Sequence, residues 1–276
     1  MSELHVRSAR RLSEASGILA LAVLLDSAVE HYRGSFKNPA MLLPLAVSAL
    51  TIGVNLHGRS DLRDTAHRVR RGVGLAALLT GAGGTAFHLY NVLKRPGRLD
   101  WQNLFYGAPL GAPAAIGLAG ILAMAAESLR AGSSPLRADR VGNYPAGRLL
   151  AAVSGLGLIG TAAEAALLHF RGAFHNPVMI APVTLPPAAG VLLLHTAATR
   201  HRAHGRATRW LLRATGVMGL MGSAFHAWGV QRNMGGWRNW RQNVLNGPPL
   251  PAPPSFTGLA LAGLVALSLL GKRSDG

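Results

Sequence analysis

A chain of 276 residues with 14% charged and 49% hydrophobic residues and a mean hydropathy of +0.26 does not have the composition of a soluble domain, where about a quarter of the residues are charged. The net charge of +17 and pI of about 11.8 would raise nucleic-acid binding in a soluble protein. Here the basic residues are grouped between apolar runs, so anionic headgroups of a lipid bilayer are the expected counter-charge and nucleic acid is not an expected partner. Cysteine is absent, which excludes disulfides and thiolate metal sites and leaves His and carboxylate to hold any metal.

The N-terminal MSELHVRSARR is charged, and the apolar run behind it is too long for a signal-peptide core, so the first helix is expected to stay. Apolar stretches of spanning length, roughly 17 to 25 residues, run over 14–32, 40–57, 72–94 and 113–130. They recur over 148–170, 177–197, 212–230 and 255–271. The expected fold is therefore an all-α integral membrane protein of eight transmembrane helices. Pro44 and Pro182 fall in the outer turns of the second and sixth, where a membrane helix tolerates them.

The chain is written twice. EHYRGSFKNPAMLLP from Glu30 returns as LHFRGAFHNPVMIAP from Leu168, GTAFH from Gly84 returns as GSAFH from Gly222, and WQN from Trp101 returns inside WRQN from Trp240. Residues 1–135 and 136–276 thus read as two four-helix membrane repeats. Four helices per half is even, so the repeats are expected to run parallel, related by a pseudo-twofold axis along the membrane normal. The segments that one face would gather (N-terminal tail, 58–71, 130–148, 198–213, C-terminal tail) hold 19 of the 28 Lys and Arg. That puts both termini in the cytoplasm of a bacterial-type inner (plasma) membrane.

The repeat retains polar residues while apolar ones drift: Asp26 with Glu164, His31 with His169, His57 with His195, His88 with His226. Alternating helix direction places Asp26, His31, His88, Glu164, His169 and His226 near the outer face and His57 and His195 near the inner one, roughly 25 Å away. Ionisable groups inside a membrane point to function. One carboxylate and two histidines per half form a facial-triad ligand set for a transition metal (iron, copper or manganese), and two triads meeting at the axis make a dinuclear centre. The i, i+5 spacing of Asp26 with His31 and Glu164 with His169 requires a π-bulge or frayed helix end to aim both at one ion.

The alternative is haem b between His88 and His226, with Gly81, Gly83, Gly84, Gly216, Gly219 and Gly222 either admitting the macrocycle or serving ordinary helix packing. A third reading is a polar network without ligand. Arg33 and Arg171 are expected as charge partners of the buried carboxylates. Gln102, Asn103, Gln242 and Asn243, on long outer loops, are expected either to orient the histidines or to sit with Trp101, Trp237 and Trp240 in an interfacial belt. Gly34 and Gly172 read as helix C′ caps. Glu30 and Glu127, which have apolar counterparts, read as peripheral; His5, His67, His201 and His204 read as solvated among arginines; His57 and His195 read as helix-terminating residues.

The expected function is an oxidoreductase or electron-transfer membrane subunit acting on a quinone or lipophilic substrate. The alternatives are a small-solute permease with parallel repeats, or a non-catalytic anchor or assembly subunit for a periplasmic protein partner.

Overall fold

A computed structural model describes residues 3–60, 67–131, 140–141, 144–199 and 205–272. Ten α-helices make up nearly all of it: α1 (Glu3–Arg33), α2 (Leu43–Ser60), α3 (His67–Leu93), α4 (Trp101–Tyr106), α5 (Gly111–Ala131), α6 (Ala146–Arg171), α7 (Ala181–Ala198), α8 (Gly205–Arg232), α9 (Trp240–Asn246) and α10 (Pro254–Lys272). The described strands are a two-residue antiparallel ladder, Arg140–Val141 with Tyr144–Pro145. His201 and His204 lie outside the described residues.

Among the described residues seven helices are long and apolar enough to cross a membrane: α1, α3, α5, α6, α10, and α2 and α7 with the 3-10 turns that lead into them. α8 has the length, 28 residues, but arginines at both ends together with Ser223, His226 and Trp228 dilute its hydropathy. α1 begins at Glu3 rather than 14 and spans 31 residues, about 46 Å. The arginine-bearing tail is thus helical, because His5, Ser8, Ala9, Leu12 and Ser13 are buried against neighbours. His5 accordingly is not a solvated loop residue; it is 3% exposed.

α1 packs on α2, α5 and α10; α6 packs on α7, α10 and α5; α3 packs on α5 and α2, and α8 on α10 and α7. The central helices are therefore α1, α5, α6 and α10. Half or more of the apolar window is buried in α1, α5 and α10, against about a fifth in α2, α3 and α7. The outward faces carry exposed Leu50, Leu56, Leu79, Val191, Trp210 and Leu220, an apolar surface that lipid would cover.

Close helix contact uses glycine. A Cβ on Gly81 of α3 would run into the backbone of Gly117 of α5, one on Gly84 would lie 2.9 Å from Pro113, and in the other half Gly219 and Gly222 meet Pro253 and Thr257. Four of the six glycines expected to flank a macrocycle thus serve helix packing; Gly83 faces open space. Gly81→Val should cost about 1–3 kcal/mol by forcing α3 from α5, read as a lower unfolding temperature in detergent, whereas Gly83→Val should leave that temperature nearly unchanged.

Candidate functional site

His31, His88, His169 and His226 are held alike. α1 and α6 run regularly to Arg33 and Arg171, and the chain then turns through non-glycine residues in the left-handed region: Ser35 (φ 56°) and Phe36 (φ 45°), Ala173 (φ 54°) and Phe174 (φ 45°). Gly172 caps α6 as expected, its N–H on the Leu168 carbonyl at 3.1 Å, and Gly34 donates likewise to Glu30 at 3.0 Å, but the left-handed positions are the two residues that follow each glycine. The turns bring Phe36 and Phe174 edge-on to the His31 and His169 rings, with centroids 6.2 and 6.0 Å apart. Backbone strain repeated at equivalent places costs on the order of 1–3 kcal/mol per residue and marks sites where the surrounding structure holds it.

Each ring is then fixed through Nδ1. His31 bonds the Met41 carbonyl at 2.6 Å, His169 the Met179 carbonyl at 2.9 Å, His226 the Pro249 carbonyl at 2.6 Å, and His88 the Pro109 carbonyl. A carbonyl only accepts, so Nδ1 carries the proton and Nε2 keeps its lone pair. No described protein group takes Nε2 as a hydrogen-bond partner in any of the four. The rings are half-buried, and they associate within halves: His31 is near enough to His88 to interact electrostatically, and His169 likewise to His226.

The carboxylates form a third association, between halves. Asp26 and Glu164 lie within electrostatic range of one another. Glu164 accepts the Gly111 backbone N–H at 3.1 Å, meeting a free amide at the start of α5 where the helix dipole also favours an anion. Pro251 stands at the repeat equivalent of Gly111 and has no N–H, so Asp26 cannot be held in the same way.

Among the described residues no three His, Asp or Glu side chains gather as a group that could hold a metal ion. The six expected ligands (Asp26, His31, His88, Glu164, His169, His226) are thus not gathered as such a group among the described residues. The helices stay regular, so side chains at i and i+5 diverge by about 140°. His88 lies within electrostatic range of His31, and His226 within that of His169.

Arg33 pairs with Glu30 at 2.6 Å and also acts electrostatically on Asp26, as a charge partner would. Arg171 donates to the Phe105 carbonyl at 3.0 Å and lies over the Tyr106 ring, joining α6 to α4. Asn103 Nδ2 donates to the carbonyls of Pro96 (2.7 Å) and Arg98 (3.0 Å), and Asn243 Nδ2 to those of Met234 (3.2 Å) and Gly236 (2.8 Å). These amides brace their own loops instead of orienting histidines. Gln102 and Gln242 are exposed, with Gln242 accepting from Asn239 at 3.3 Å. Asn103→Leu and Asn243→Leu should each loosen one outer loop, costing about 1–3 kcal/mol for the stranded carbonyls, visible as faster amide exchange confined to 96–106 or 234–246.

At the other end lies a cluster that the repeat concealed. Glu127, 2% exposed, pairs with Arg70 at 2.9 Å, with His67 Nδ1 at 2.9 Å and with Arg130. Arg130 reaches the Gly58 carbonyl at 2.6 Å and Ser13 Oγ at 2.9 Å, while Arg70 Nη1 donates to His57 Nδ1 at 3.2 Å. Glu127 is not peripheral, His67 is not solvated and His57 does more than end a helix: together they tie α1, α2, α3 and α5. The repeat has Thr208, Leu267 and Leu270 in place of Arg70, Glu127 and Arg130. An acid with Arg at i+3 in an otherwise apolar helix was the available signal.

No protein-family model, no curated protein and no solved structure matches the chain.

Proposed function

We propose that the chain is a multi-pass protein of a bacterial-type inner membrane, with α8 as the eighth spanning helix, two parallel four-helix repeats (1–135 and 136–276) about a pseudo-twofold axis, and both termini cytoplasmic. Its outer end is read as the redox centre of an oxidoreductase or electron-transfer subunit acting on a quinone or lipophilic substrate. The observation that carries this reading is the set of four imidazoles, each committed through Nδ1 to a main-chain carbonyl and each keeping Nε2 for a ligand. That is the disposition of metal-bound histidine, with tautomer and ring orientation fixed by the second hydrogen bond.

Two imidazoles per half are a donor set that would hold haem b, while a non-haem iron, copper or manganese ion would take further ligands beside them. Haem, when bound, supplies one-electron transfer. His31 and His88 would hold it in one half, His169 and His226 in the other, and Asp26 and Glu164 between them are the groups suited to hold a proton. A His88→Ala, His226→Ala double variant should lose the Soret band of the purified protein while keeping its helical circular dichroism. An unchanged band would refute histidine ligation at these positions.

One observation favours a second reading, a proton-coupled permease. His88 and Glu164 bind one loop, at the Pro109 carbonyl and the Gly111 amide, and Asp26 in turn lies in the field of Glu164, a titratable row of the kind that relays protons. Proton uptake by liposomes holding cofactor-free protein, abolished by Glu164→Gln, would decide for it.

A further inference from the structure

At the basic end of the bundle a groove of about 180 Å³ between α1 and α10 is lined by Leu4, Arg7, Ser8, Arg11, Val265 and Ser268. Its walls are apolar and small, with Val265 and Ser8 buried. Arg7 and Arg11 stand four residues apart, on one face of α1, and both are exposed. Arg7 is engaged by Glu3, itself exposed, which leaves the rest of its guanidinium available, and Arg11 has no ion-pair partner among the described residues.

The duplicated half supplies an internal comparison. The groove equivalent to this one, between α6 and α5, would carry Pro145 for Arg7 and Leu149 for Arg11, with Ala125 and Ser128 for Val265 and Ser268. Small residues stand at the equivalent wall positions of both copies (Ser8 and Ala146, Val265 and Ala125, Ser268 and Ser128), while Arg7 and Arg11 have no cationic counterpart. Helix packing explains the walls but not the charge. The groove also lies on the contact between α1 and α10, where the two halves of the chain meet.

We propose that this groove binds an anionic phospholipid, its phosphate held by Arg7 and Arg11 and an acyl chain lying against Leu4 and Val265. A guanidinium pair matches phosphate oxygens in geometry and charge, and basic sites between spanning helices suit anionic headgroups. The lipid would bridge α1 and α10 and thus brace the two halves against each other.

The test is native mass spectrometry of the full chain, delipidated and then incubated with equimolar phosphatidylglycerol and phosphatidylcholine. Three proteins are compared: the unaltered chain, Arg7→Gln with Arg11→Gln, and a control, Arg68→Gln with Arg71→Gln, that removes as much exposed charge from the start of α3. One phosphatidylglycerol retained by the unaltered protein and the control but lost from the groove variant, with circular dichroism equal in all three, is the expected result. Phosphatidylglycerol and phosphatidylcholine retained equally, equal loss in the control, retention by the groove variant, or displacement by inorganic phosphate at equal concentration would each overturn the proposal.

Discussion

Glu127→Ala should lower stability by about 3–5 kcal/mol, the cost of removing one partner from a buried ion pair and stranding the other. Arg70 and Arg130 have side chains 4% and 3% exposed beside a carboxylate that is 2% exposed. Without Glu127 the Arg70 and Arg130 guanidinium groups lose the buried carboxylate they share, although Arg130 keeps the Gly58 carbonyl and Ser13. The duplicated half shows how the same packing problem is met without charge, by Thr208, Leu267 and Leu270. Arg70→Thr, Glu127→Leu and Arg130→Leu combined should therefore cost clearly less than Glu127→Ala alone, because exchanging a whole buried ion cluster for apolar groups is often nearly neutral. Unfolding temperature in detergent reads both. A triple variant less stable than the single one would mean that the cluster contributes net stability and is not merely self-consistent.

The second large effect concerns the outer histidines. Since His31 associates with His88 and His169 with His226, the halves should hold their centres independently. His88→Ala should remove about half of the Soret absorbance and His226→Ala the other half, each leaving the remaining spectrum unchanged, as expected when two imidazoles per half complete one haem iron. A single centre between the halves would instead vanish entirely in either variant. His31→Ala and His169→Ala should reproduce the same halves, which separates ligation from an incidental effect of the Pro109 or Pro249 loop.

The membrane class and the place of most helices were legible because hydropathy over about 20 residues reports a bilayer whatever the tertiary contacts. The outer histidines were also visible, since both copies kept them. Their neighbours were not, because the repeat relates His88 to His226 by sequence, whereas the electrostatic neighbours in the fold are His31 for His88 and His169 for His226. The N-terminal helix was underestimated for a related reason: Arg7, Arg10 and Arg11 read as a tail, yet the opposite face of the same turns, Ser8, Ala9 and Leu12, is buried. The Glu127 cluster was missed because retention between copies served as the measure of importance. A residue that one copy has and the other lacks, such as Arg70, Glu127 or Arg130, passes that filter unseen even when four helices depend on it.

The most direct test of the central claim is the haem and metal content of the purified, unaltered chain, by absorption spectrum and elemental analysis against protein concentration. Two b-type haems per chain, with no other stoichiometric transition metal, is the predicted result. A colourless protein without bound iron, copper or manganese would contradict it and leave the four imidazoles as ties between helix ends and loops.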